Sequence, residues 1–194
     1  LNSMAQAFWR IYMYQQGANK HFEREAKIIW KYFEKCLKDD IKPFKYKHRA
    51  LAWSCGSTYY DNATCWLYQC WGIMTVINMD SLTGHNIVDT ENRDEMMSDL
   101  ADLHARTPMR THTVGGNRHI LMMFETAAKF NCDMIVMYDD IGCKGMAGCQ
   151  GLLEEEFRKH PEFHIMWMPH ALMDCRTVPT AEARKVVNDY MTTV

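Results

Sequence analysis

The chain has 194 residues, 47% of them hydrophobic, and a formal net charge of -2. That length suits one domain, or one domain with an appendage, with enough apolar residues for a real core. The near-neutral charge gives no reason to expect nucleic acid as a partner, and no apolar run is long enough to span a bilayer.

Eight cysteines and sixteen methionines are present. An even cysteine count points to a disulfide framework mainly in small secreted domains with weak cores. This chain is larger and patterned otherwise, so free thiols in a reducing cytosol are expected. So many thiols and thioethers would also suit an anaerobic cell, because both oxidise readily. The start, Leu1-Asn2-Ser3-Met4, lacks a charged region followed by an apolar core and does not read as a signal peptide. Its leading Leu hints at a processed or partial chain.

In chain order, Ala5 to Gln16 and His21 to Leu37 read as helices. The second carries Phe22, Ala26, Ile29, Trp30, Phe33 and Leu37 at helical spacing. Asp39 to Pro43 ends it. A strand is predicted at Ala50–Ser54, then a turn at Cys55-Gly56-Ser57-Thr58, a helix from about Tyr60 to Trp71, and Gly72 as its stop. Ile73–Ile77 reads as a second strand, and Asn78 to Thr90 as loop. Arg93–His104 and Arg118–Phe130 read as helices, with a loop at 107–117 between them. Met134–Tyr138 is an apolar strand, and a helix is predicted through Leu152–Lys159. Phe163–Met168 is a fourth strand and Thr180–Met191 a closing helix. Strands alternating with helices predict an α/β, Rossmann-like three-layer domain over residues 49–194. It would hold roughly four parallel strands, preceded by an N-terminal helical segment at residues 1–48.

Chemistry collects where the third strand ends. Asp139, Asp140, Cys143, Lys144, Cys149 and Gln150 fall in what reads as a glycine-rich connection between strand and helix. Open α/β sheets bind ligands at this end of their strands. If the first strand is central, the crevice opens between the first and third strands, and Cys55 and Cys143 share its rim. Free cysteine is commonly a buried filler. Cys143 departs from that pattern: it stands at a helix mouth beside Lys144, and both features favour thiolate, the form that binds iron. Cys149 lies further into the helix and reads as packed. Cys65 and Cys70, five apart on a helix, do not share a face. Together with Cys143 and Cys149 they match no compact zinc or iron–sulfur spacing, so the sequence does not encode a complete four-cysteine site. His164 reads as a core histidine in an apolar strand. His170 and Asp174 follow at that strand's carboxyl end, and Asp174 with Arg176 could equally brace the loop before the last helix.

Cys143-Lys144, with Gln150 seven residues after the cysteine, resembles the third cysteine motif of the benzoyl-CoA reductase and 2-hydroxyacyl-CoA dehydratase family. Asp174-Cys175-Arg176, followed by Glu182, Arg184 and a terminal helix, is similar to that family's closing Asp-x-Arg segment. Arg49 to Gly56 looks like the first strand and turn of its C-terminal domain. The form Cys-Lys-Gly-Met-Ala-Gly leans toward the benzoyl-CoA reductase branch. The resemblance runs over roughly residues 49–194.

It implies an enzyme subunit of two Rossmann-like domains holding a 4Fe-4S cluster between them, with Cys143 as the ligand from the C-terminal domain. The family's two N-terminal cysteine ligands have no counterpart here, so a fragment or free-standing domain without activity of its own is expected. It further implies a related paired subunit, a separate ATP-hydrolysing iron–sulfur activator and a CoA-thioester substrate in a cytoplasmic enzyme. The electron chemistry would be the cluster's. Lys144 would offset negative charge, and Asp139, Asp140 and Gln150 would hydrogen-bond the loop around the ligand. The stretch His170 to Met173 differs from the acidic segment that often precedes the family's final Asp-x-Arg. Two other readings stand beside this one: a non-catalytic partner-binding subunit with Cys143 buried, and a flavodoxin-like binder using Ser54 to Thr58 for phosphate.

Overall fold

The computed structural model describes residues 20–41, 45–54, 62–79, 82, 88–105, 118–171, 174 and 176–194. The helix read at Ala5–Gln16, the turn at 55–58 and the loop at 107–117 lie outside them. The chain divides into two compact units, Leu1–Tyr46 and Lys47–Val194. In the first, helix α1 spans Lys20–Lys38. It leaves Ile28, Trp30, Tyr32 and Leu37 largely exposed, the first and third on one side of the helix and the second and fourth on the other.

The second unit holds β1 (His48–Ser54), α2 (Ala63–Trp71), β2 (Ile73–Asn78), α3 (Arg93–Ala105), α4 (Arg118–Lys129), β3 (Met134–Asp140), α5 (Lys144–Phe157), β4 (His164–His170) and α6 (Thr180–Met191). The four strands form one sheet in the order β2-β1-β3-β4, and every pairing is parallel. This is a Rossmann-like three-layer α/β fold. β1 is central, the condition on which a crevice is expected between the first and third strands, and the winding reverses between β1 and β3.

Both faces of the sheet are covered, so the strands read as apolar runs rather than as alternating polar and apolar positions. One core places Ala50, Ala52, Val136, Tyr138, Met166 and Met168 against Leu67 of α2 and Ala183, Val187 and Met191 of α6. The opposite core places Leu51, Trp53, Ile135 and Met137 against Ile120, Met123 and Phe124 of α4 and Leu153 of α5. A fully buried leucine such as Leu67 contributes about 2 kcal/mol. Trp53 Nε1 donates to His119 Nε2 at 3.0 Å, which satisfies a buried indole and fixes the imidazole tautomer.

The amino-terminal edge is held by polar bonds. Arg49 donates through its guanidinium to the carbonyls of Phe130 and Asn131, and its backbone N–H donates to Asp133. Asp133 also pairs with His48 at 2.8 Å. Gly72 ends α2 at φ 69, donating to the carbonyls of Leu67 and Tyr68. That left-handed turn suits glycine, and an added Cβ would stand 3.1 Å from Lys47 Cγ.

Three readings need correction. Asp139 and Asp140 belong to β3 and not to a connection, because the ladder with β4 carries on through Asp139–Pro169 and Asp140–His170. The glycine-rich stretch is helix: α5 begins at Lys144, so Gly145, Gly148 and Gly151 lie inside it. The connection shrinks to Ile141-Gly142-Cys143. His164 is exposed at the start of β4 and meets His48 edge-on at 5.9 Å, so it is not a core residue. The buried histidine of that strand is His170.

Candidate functional site

The carboxyl edge of the sheet collects Ser54 from β1, Asn78 from β2, Asp139 and Asp140 from β3, and His170 from β4. Ser54, Asn78, Asp140 and His170 are all buried. Ser54, Asp140 and His170 continue the strand parity of Ala52, Tyr138 and Met168, which places them on the α2–α6 side of the sheet. Ser54 has φ 83, a left-handed conformation that serine adopts only at a cost of roughly 1–2 kcal/mol.

Asp140 organises the step from β3 into α5. Its carbonyl accepts from Cys143 N–H at 2.8 Å, and its carboxylate accepts from Gly142 N–H at 3.2 Å. Ile141 N–H in turn donates to the carbonyl of His170 at 3.1 Å. Cys143 is the residue that caps α5, with extended backbone (φ -95, ψ 96), and its carbonyl accepts the first helical bond, from Ala147 N–H at 3.1 Å. The thiol is partly buried and packs against the core on the α4–α5 side. Cys143 therefore stands at the mouth of a helix, at the strand beside the reversal point, without being sealed in. Lys144 is exposed next to it.

The other candidates scatter. Gln150 is exposed on α5, and Asp139 is partly exposed at the register position facing Pro169. Asp174 and Arg176 form a closed pair: Arg176 donates from Nε and Nη2 to the two carboxylate oxygens, each at 2.8 Å, and from its backbone N–H at 3.0 Å. These bonds hold the Asp174 carboxyl below its usual pKa. The pair lies on an exposed turn before α6, where it braces the backbone. Cys55 lies outside the described residues, as do Ser57 and Thr58 of the phosphate-loop reading.

The described cysteines, Cys36, Cys65, Cys70, Cys132, Cys143 and Cys149, are all free. Burial pushes the Cys132 thiol up to about 11. Cys149 packs against the same core as Cys143. Among the described residues no three His, Cys, Asp or Glu side chains come together to hold a metal ion. Among the described residues, then, Cys143 has no second metal-ligating side chain grouped with it in a set of three. No helix among the described residues is long and apolar enough to cross a membrane.

His170 is the residue that sequence reasoning underweighted. It is 1% exposed, and neither ring nitrogen has a hydrogen-bond partner. Burial drives its pKa below the ordinary value, while the charge of Asp140 pulls the other way. The signal was the alternation Met166, Met168, His170, which points the last residue inward.

Comparison with protein-family models gives no match, and no curated sequence matches the chain.

Proposed function

We propose that the Lys47–Val194 unit is the CoA-side domain of an iron–sulfur enzyme subunit of the benzoyl-CoA reductase or 2-hydroxyacyl-CoA dehydratase kind, with Cys143 as a cluster ligand. The observation that carries this reading is the position of Cys143: partly open, at the N-terminus of α5, at the carboxyl edge of the sheet next to its reversal point. Thiolates are the ligands such clusters take, and a helix N-terminus stabilises negative charge.

A bound 4Fe-4S cluster would supply low-potential single-electron transfer to the thioester. The chain's own part is mechanical and electrostatic. Asp140 fixes the turn that presents the sulfur. Lys144 adds a positive charge at the rim. The apolar residues behind Cys143 keep water from that side of the sulfur. The remaining ligands come from groups beyond those described, with an activator and a related subunit as partners. Leaning to the reductase rests on the Cys-Lys-Gly-Met-Ala-Gly sequence.

The test is anaerobic isolation of the native complex through a tag on this subunit, followed by iron and acid-labile sulfide determination. Both are expected in the wild type and reduced in Cys143→Ser. Equal iron and sulfide in the two proteins would remove the assignment. The contact of Cys143 with the α4–α5 core favours a second reading, a non-catalytic partner-binding subunit in which the thiol is packing material; metal-free wild-type complex would support it.

A further inference from the structure

His48 opens β1 and His164 opens β4, with β3 between the two strands. They keep the strand parity of Ala50 and Met166, so both belong to the α2–α6 side of the sheet, at its amino-terminal edge. Their rings stand edge-on, with centroids 5.9 Å apart. Asp133, the residue before β3, bonds to both. Its carboxylate accepts from His48 Nδ1 at 2.8 Å, and its carbonyl accepts from the His164 backbone N–H at 2.8 Å. Two imidazoles are thereby brought together from strands that do not pair.

An ionised carboxylate only accepts hydrogen bonds, so the neutral His48 ring carries its proton on Nδ1 and keeps a lone pair on Nε2. A carboxylate behind the other ring nitrogen is the arrangement that orients metal-binding histidines and raises their basicity. The His48 side chain is 20% exposed and His164 is exposed, so solvent and ions reach both. Neutral imidazoles suit zinc, copper and nickel, whereas magnesium and calcium take oxygen. Among the described residues no set of three His, Cys, Asp or Glu side chains comes together on an ion. Asp133 therefore serves as the support behind His48, and water would complete the coordination. Such an ion would exchange readily, unlike one in a closed four-ligand zinc site.

We propose that His48 and His164 form a two-imidazole site for a divalent transition-metal ion of the zinc type, with Asp133 orienting His48. The ion would tie the start of β1 to the start of β4 across β3. The site lies at the opposite end of the strands from Cys143, and it does not rest on the iron–sulfur reading.

The experiment is histidine side-chain 15N NMR on the full chain, titrated with zinc chloride and separately with magnesium chloride. The ring signals are assigned by their loss in His48→Gln and His164→Gln. Nε2 of His48 and a ring nitrogen of His164 should shift together with zinc and stay fixed with magnesium. In either single variant the surviving ring should need at least about tenfold more zinc, since losing even a group that orients a ligand costs that much. Asp133→Asn should weaken the zinc response of both rings by about tenfold or more while their zinc-free signals still report a folded chain. The His164 side chain is exposed, so its replacement leaves the core untouched, and zinc taken up by thiols elsewhere does not join these two rings. The proposal is overturned if neither ring shifts with zinc in large excess (a ring contact only), if each ring responds as strongly without the other, or if magnesium produces the same shifts.

Discussion

Asp140 grips the residues leading to Cys143 twice, through its carbonyl to Cys143 N–H and through its carboxylate to Gly142 N–H. The turn is therefore set by the strand that precedes it. Asp140→Ala removes the side-chain bond and leaves the backbone one. It should cost about 1 kcal/mol in urea denaturation and speed alkylation of Cys143. Asp140→Asn keeps an acceptor oxygen and should preserve both the midpoint and the alkylation rate.

The thiols should separate by burial. Cys70 is exposed and Cys143 partly so, whereas Cys132 is buried with its pKa pushed up to about 11. The nucleophile is the thiolate, so at about pH 8 Cys132 presents roughly a thousandth of its population in reactive form. Peptide mapping after brief iodoacetamide treatment of the native chain should find Cys70 and Cys143 modified and Cys132 intact. In denaturant all three should react.

Sequence reading reached the sheet but stopped short at its edge, for a physical reason. Apolar runs such as Met134–Tyr138 announce buried strands because both faces of a parallel sheet are covered. The continuation through Asp139 and Asp140 is invisible locally, since two carboxylates carry no strand preference; the ladder with Pro169 and His170 imposes it. Likewise Gly145, Gly148 and Gly151 argue against a helix by propensity, yet α5 forms through them because Cys149, Leu153 and Phe157 are anchored on the core. His164 and His170 share one strand parity and differ in fate. The first stands at the open start of the strand and the second beneath the carboxyl edge. Cys143 was legible as a helix-mouth thiol, whereas its dependence on Asp140 was legible only as a general role in the loop.

Acid should weaken the fold through His170. Burial lowers the folded-state pKa below the ordinary value of 6.5, against the opposing pull of Asp140. Between those two values the unfolded chain binds more protons than the folded one, so stability falls as pH drops. The contribution is complete above 6.5 and is lost on descending toward the folded value. Urea midpoints at about pH 7.5 and about pH 5.5 should therefore differ more in wild type than in His170→Gln, which has no proton to gain. Equal pH dependence in the two proteins would show that the ring titrates normally.

Gly148 and Gly151 lie inside α5 where an added Cβ would meet nothing within 4 Å. Both have helical neighbours on either side, and neither adopts the positive φ that would demand glycine. Glycine costs about 1 kcal/mol relative to alanine at such positions, chiefly because the unfolded chain has more freedom to lose. Gly148→Ala and Gly151→Ala should each raise the stability of the isolated chain by up to about 1 kcal/mol, read as a higher urea midpoint at unchanged slope. The effects should add only approximately, since both residues sit on one helix three positions apart. A loss of stability instead would mean that this face of α5 is packed closely in solution, because open space cannot penalise a methyl group.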